Sequence, residues 1–174
     1  MTVVRRTRKG GFTLVEILIV VIILGILAAI VIPQFTSASQ DARKNSLSSQ
    51  LQTLRSQIEL YKLQHLDQLP STLVGSSPNW SQFTAKTNDQ GTTGTGTAFP
   101  FGPYLQADPK NPLNGGSAVL VVSADLNGGD GSGGNTTNRA GFVISSVNGK
   151  IWGTSAKFAH VYDEAQPSNS LNDE

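Results

Sequence analysis

Cysteine is absent from the 174 residues, so neither a disulfide framework nor thiolate chemistry is available. Histidine is almost absent. His65 and His160 stand far apart, and neither has a cluster of metal ligands around it. The glycine-rich run 128–134 lacks the Lys-Ser/Thr pair of a phosphate loop. No nucleophile stands in a recognisable pattern with a base. Charge is also scarce, at 14% of residues with a formal net charge of +1. These absences argue against an enzyme. What the chain does have is apolar residues gathered in one place.

That place is Phe12 to Ile32, FTLVEILIVVIILGILAAIVI, 21 residues interrupted only by Thr13, Glu16 and Gly25. As a helix it would span roughly 31 Å, the thickness of a bilayer's hydrocarbon core. A secretory signal peptide is the plainest reading of a basic segment followed by an apolar run, but such runs have about 7–15 apolar residues and a small-residue cleavage site. Here the small pair Ala28-Ala29 is followed by more Ile and Val, then by Pro33. A simple one-pass anchor accounts for the length. It does not account for Glu16, because an ionisable group in a membrane helix is costly and usually has a task.

The stretch MTVVRRTRKGG-FTLVEILIVVIILGILAAIVIPQF resembles the class III signal of type IV pilins and pseudopilins. The resemblance covers Arg5 to about Phe35. It implies that a prepilin peptidase cuts after Gly11 and methylates the new terminus at Phe12. Glu16 is then the acid that assembly uses, and Pro33 the proline that bends the helix. An unpaired carboxylate in lipid costs a few kcal/mol at least. A free amine on Phe12 of a neighbouring copy is a suitable partner, and such a pair would set axial register as buried polar groups do in coiled coils.

Arg5, Arg6, Arg8 and Lys9 favour a cytoplasmic leader by the positive-inside bias, with residues after Pro33 outside the cytoplasmic membrane. Loss of these four cations would take the formal charge from +1 to −3. No large basic surface is then left for nucleic acid.

Beyond Pro33 the same helix is expected to continue to about residue 66, on the order of 80 Å in all. Leu47, Leu51, Leu54, Ile58 and Tyr61 repeat at 4, 3, 4, 3 and share one face, the pattern of a core stripe. Pro70 is expected to end the helix. Trp80 and Phe83 suggest a short helical turn over 79–86, and Asn88 to Thr97 reads as loop. The proline-rich segment 99–115 reads as extended, with Tyr104 and Leu105 as anchors. It resembles the Gly-Pro-Tyr-Leu and Asn-Pro-Leu segment of major pseudopilins of type II secretion. Strands are expected at Ala118–Ser123, Gly141–Val147 and Lys150–Gly153, with Asn148-Gly149 as the hairpin signal. Phe142 and Trp152 are expected to face the helix stripe.

The fold class is therefore α+β: a long N-terminal helix on a small antiparallel sheet, pilin-like. The expected parts are a leader 1–11, a transmembrane or filament-core helix 12–33, an amphipathic helix 34–66, a β head 67–162 and a flexible tail 163–174. Asp125, Asn127 and Asp130 have nearly the spacing of a calcium loop, although the plainer reading is a glycine-rich hairpin loop. No other cofactor is expected.

The resemblance implies a filament subunit of the bacterial inner membrane, with its N-terminus cytoplasmic and its head periplasmic. Its partners would be further copies, other pilin-like subunits, prepilin peptidase and the inner-membrane assembly machinery. A pseudopilus of type II secretion is the leading use. A type IV pilus subunit for adhesion, motility or DNA uptake is the alternative within the fold, and a membrane-anchored binding module that never polymerises is the alternative outside it.

Overall fold

A computed structural model describes residues 11–123, 140–155, 160–162 and 164. Contact density divides the chain into two units, 1–41 and 42–174. Helix α1, Leu14–Gln64, runs through both without a break in its helical residues, Pro33 included. In the first unit every residue from Gly11 to Ile32 is exposed within this chain. Its most apolar part is long and apolar enough to cross a membrane.

The second unit is built on the later part of α1. Leu47, Leu51, Leu54, Ile58 and Tyr61 are all buried, as the 4, 3 spacing requires. Against them pack Leu73 of α2 (Ser71–Val74), Phe83 of α3 (Ser81–Thr84), and Trp80 just before α3. Trp80 sets its ring edge-on to Phe142, 5.6 Å between centroids, and donates its indole N–H to the Ser117 carbonyl at 2.7 Å. Its large apolar area is thus buried with its one donor satisfied.

The stop of α1 differs from the expectation built on Pro70. Leu66 and Asp67 both take positive φ, 54° and 63°, and the Asp67 N–H reaches back to the Lys62 carbonyl at 2.8 Å. This is a Schellman-type end with leucine where glycine is usual. Pro70 instead leads into α2, accepting from the N–H groups of Leu73 and Val74.

Two small sheets follow. β1 (Lys86–Thr87) and β2 (Thr93–Gly94) pair antiparallel, so part of the expected 88–97 loop is a short hairpin arm. β3 (Val119–Val122), β4 (Phe142–Ser145) and β5 (Ile151–Gly153) form the second sheet in that order. The α+β layout with a long N-terminal helix holds, but the wholly antiparallel sheet does not. β4 and β5 pair antiparallel through the Asn148-Gly149 turn, whereas β3 and β4 run parallel, Val119 opposite Phe142.

Trp152 is a second correction. It is paired with Val143, and a strand's neighbours alternate faces. Phe142 and Ile144 go to the α1 side, so Val143 and Trp152 go to the other, where they pack with Val161. Phe142 is paired with Gly153, and that glycine makes room for Leu47. A Cβ there would come within 2.8 Å of the Leu47 side chain.

Beyond β5, residues 160–162 continue the sheet edge. The Tyr162 N–H donates to the Gly153 carbonyl at 2.8 Å, and Thr154 and Val161 form a bridge. Glu164, expected in a flexible tail, is held by a two-pronged ion pair with Arg55, one of whose nitrogens also donates to the Ile151 carbonyl. The charges are paired across 109 residues, which no local pattern reports.

Candidate functional site

The sequence places the functional residues around the start of α1, and the structure describes four of them. Gly11 and Phe12 precede the helix in non-helical backbone, and both are exposed, Phe12 at 85%. Nothing lies within 4 Å of where a Gly11 side chain would begin. Among the described residues, nothing covers the peptide bond between them.

Thr13 and Glu16 form a reciprocal cap. The Thr13 hydroxyl oxygen accepts from the Glu16 backbone N–H at 3.2 Å. Glu16 Oε2 in return accepts from both the Thr13 backbone N–H and the Thr13 hydroxyl, each at 2.8 Å. Thr at the cap and Glu three residues later is the capping-box pattern, and it satisfies two of the four N–H groups that a helix start leaves without partners. Both Thr13 donors fall on Oε2, so Oε1 has no hydrogen bond among the described residues. The carboxylate also stands where the helix macrodipole favours negative charge.

Reasoning from the sequence singled out Glu16 and passed over Thr13. The signal for Thr13 was present: Thr13-Leu-Val-Glu16 before an apolar run is the sequence form of that cap. Pro33 lies well along α1, 17 residues beyond Glu16 in sequence, so the structure does not bring it into the Gly11–Glu16 cluster. Just before it, the Ile32 carbonyl also accepts from the Thr36 hydroxyl at 3.2 Å. Asp125, Asn127 and Asp130, the candidate calcium ligands, lie outside the described residues. Among the described residues no cluster of three or more acidic or histidine side chains is placed to hold a metal ion.

Both histidines lie in the head. His65 is buried and stacks on Tyr61, ring centroids 3.8 Å apart at 7°. Its Nδ1 faces the Tyr61 carbonyl at 2.8 Å and so carries the proton, and its Nε2 meets the Thr87 hydroxyl at 3.1 Å. His160 belongs to the edge segment, its carbonyl accepting from the Ser155 N–H at 2.7 Å.

Comparison with known proteins gives two kinds of match. The family model described as "Prokaryotic N-terminal methylation motif" matches residues 6–32. Among curated proteins, the chain is 30% identical to the type II secretion system core protein G of Klebsiella pneumoniae over 121 residues, which is 70% of this chain and 79% of that protein. It is 39% identical to the protein of the same name from Pseudomonas aeruginosa over 71 residues, 41% of this chain and about half (49%) of that protein. It is 28% identical to the one from Vibrio cholerae over 143 residues, 75% of this chain and 92% of that protein. No solved structure matches the chain.

Proposed function

Because this chain belongs to the family of the type II secretion system core protein G, we propose that it is a pseudopilin, a filament subunit of such a secretion system. The observation that carries the reading is the first unit of α1. Its apolar helix is exposed from Leu14 to Ile32, with a carboxylate in the first turn, Glu16, that uses one oxygen on its own helix. Water cannot host such a surface, so lipid must cover it before assembly and neighbouring copies after it.

The chain's own residues supply the steps. Prepilin peptidase reads the exposed Gly11–Phe12 bond, cuts there and methylates the Phe12 nitrogen. That amine carries a positive charge at neutral pH. Glu16 of a neighbouring copy receives it on Oε1, while Oε2 stays with Thr13. The pairing removes the cost of an isolated carboxylate in an apolar surrounding and fixes the axial step between copies. Pro33 takes one N–H out of the helical ladder and so provides a place for α1 to bend as it packs. The leader stays cytoplasmic and the head lies in the periplasm, by the charge asymmetry around the span.

N-terminal sequencing and intact mass of subunits recovered from assembled filaments test this reading. The chain is expected to begin at Phe12 and to carry one added methyl. Filaments built from chains that still begin at Met1 would overturn it. So would a Glu16→Val protein that assembles normally and supports secretion at the wild-type rate.

A further inference from the structure

The head contains a second feature, independent of the filament reading. A partly enclosed cavity of about 150 Å³ lies between the last turn of α1, the start of α2, α3 and the 88–91 turn. Its walls are built rather than incidental. Gln82 is buried and spends its whole amide on them. Its Oε1 accepts from the Thr72 N–H and hydroxyl, and its Nε2 donates to Ser71 Oγ at 3.0 Å and to the Gly91 carbonyl at 2.6 Å. The Asn88 side chain closes the turn by accepting from the N–H groups of Gln90 and Thr92. Gly91 is the tight point, with φ of +74°, and a Cβ there would come within 2.5 Å of the Tyr61 hydroxyl.

That hydroxyl belongs to the cavity wall. Tyr61 is 2% exposed, and its ring is packed by His65, Phe83 and Tyr104. The Tyr61 hydroxyl makes no hydrogen bond to the described residues and borders the cavity, so an occupant can reach it. Burial pushes its pKa up to about 12, so it stays a neutral phenol with its oxygen lone pairs available.

The other lining groups set the ligand's chemistry. Asp89 supplies a carboxylate at the exposed rim. Ser71 Oγ and the Gln68 side chain add oxygens with acceptor capacity left. His65, the other titratable lining residue, has both ring nitrogens engaged within the head. An anion would meet the Asp89 charge, whereas a compact cation with several N–H donors meets a set of oxygens.

We propose that this cavity binds a primary alkylammonium group, the tip of a lysine side chain or a free amine, through Tyr61 Oη, Ser71 Oγ and the Asp89 carboxylate. A volume of about 150 Å³ admits such a tip.

The chain has three tyrosines, so a full-length protein labelled with ¹³C at tyrosine Cζ and held in detergent micelles gives three signals. Tyr61→Phe assigns the relevant one. At constant ionic strength, methylammonium chloride is expected to shift the Tyr61 signal saturably while tetramethylammonium and potassium do not. The dissociation constant is expected on the order of 10 mM, the scale that the binding ceiling per heavy atom allows such a small ion. Asp89→Asn changes an exposed side chain and is expected to leave the fold intact and weaken binding about tenfold.

Nα-acetyl-lysine methylamide separates the two sources. If it binds as methylammonium does, the site accepts a lysine side chain. If only methylammonium binds, the site takes free amines, and the proposal stands in that narrower form. A Tyr61 signal that does not move, moves equally with tetramethylammonium, or moves undiminished in Asp89→Asn overturns the proposal and leaves a hydrated cavity only.

Discussion

Two stretches of one helix face opposite demands. From Phe12 to Ile32 apolar side chains point in every direction, and none is covered within the chain. From Leu47 to Tyr61 they keep to one face, and that face is fully buried. The difference lies in the angular distribution of apolar residues. A one-sided stripe can be covered by a small sheet and two short helices, so it draws stability from its own chain. An all-round distribution exceeds what one small head can cover, so it must draw stability from lipid or other copies.

Matched substitutions would break this comparison most directly. Leu51→Ala removes a fully buried side chain and is expected to destabilise the head by about 3 kcal/mol, within the usual range for core leucines. Leu24→Ala removes the same atoms from a side chain that is 58% exposed within the chain, and is expected to change the head by less than about 0.5 kcal/mol. Urea unfolding of micelle-held protein, followed by near-UV circular dichroism of Trp80 and Trp152, reads the head alone. Equal midpoints for the two variants would mean that the stretches do not differ as described.

The start of α1 sharpens the comparison with a smaller effect. Thr13→Val keeps the side-chain shape and removes the hydroxyl that both accepts from the Glu16 N–H and donates to Glu16 Oε2. Loss of a cap of this kind costs about 1 kcal/mol. Hydrogen exchange at the Glu16 amide is therefore expected to speed up about fivefold, and Thr13→Ser is expected to restore the wild-type rate. An unchanged rate in Thr13→Val would show that the cap does not hold the helix start.

How much could be read beforehand followed the range of the interaction. The Leu47–Tyr61 stripe, the turn at Trp80–Phe83 and the Asn148-Gly149 hairpin are local patterns, and the structure has all three. Gly11, Phe12 and Glu16 stand in an equally local motif, and their roles are the proposal made above. The Thr13–Glu16 cap is equally local, carried by the spacing of the two residues rather than by the charge of Glu16. The parallel pairing of β3 with β4 was not legible. Alternation tells which face a residue takes, but not which strand lies beside it or in what direction. The Arg55–Glu164 pair was hidden for the same reason, since its partners meet only once the sheet edge is in place.

The far end of α1 is where local reading misplaced a cause. Pro70 follows the stop of the helix rather than causing it: the chain has already left α1 at Leu66, in the left-handed region and 82% exposed. A leucine there bears steric strain between Cβ and the backbone that glycine does not. Leu66→Gly relieves the strain and loses little packing, while the added freedom of the unfolded chain offsets part of the gain. The net expectation is a stabilisation of about 0.5 kcal/mol, seen as a slightly higher urea midpoint for the head. Leu66→Ala keeps the Cβ and is expected to show no gain. If both variants behaved alike, the stop would owe nothing to backbone strain at Leu66. The bond from the Asp67 N–H to the Lys62 carbonyl would then have to account for it.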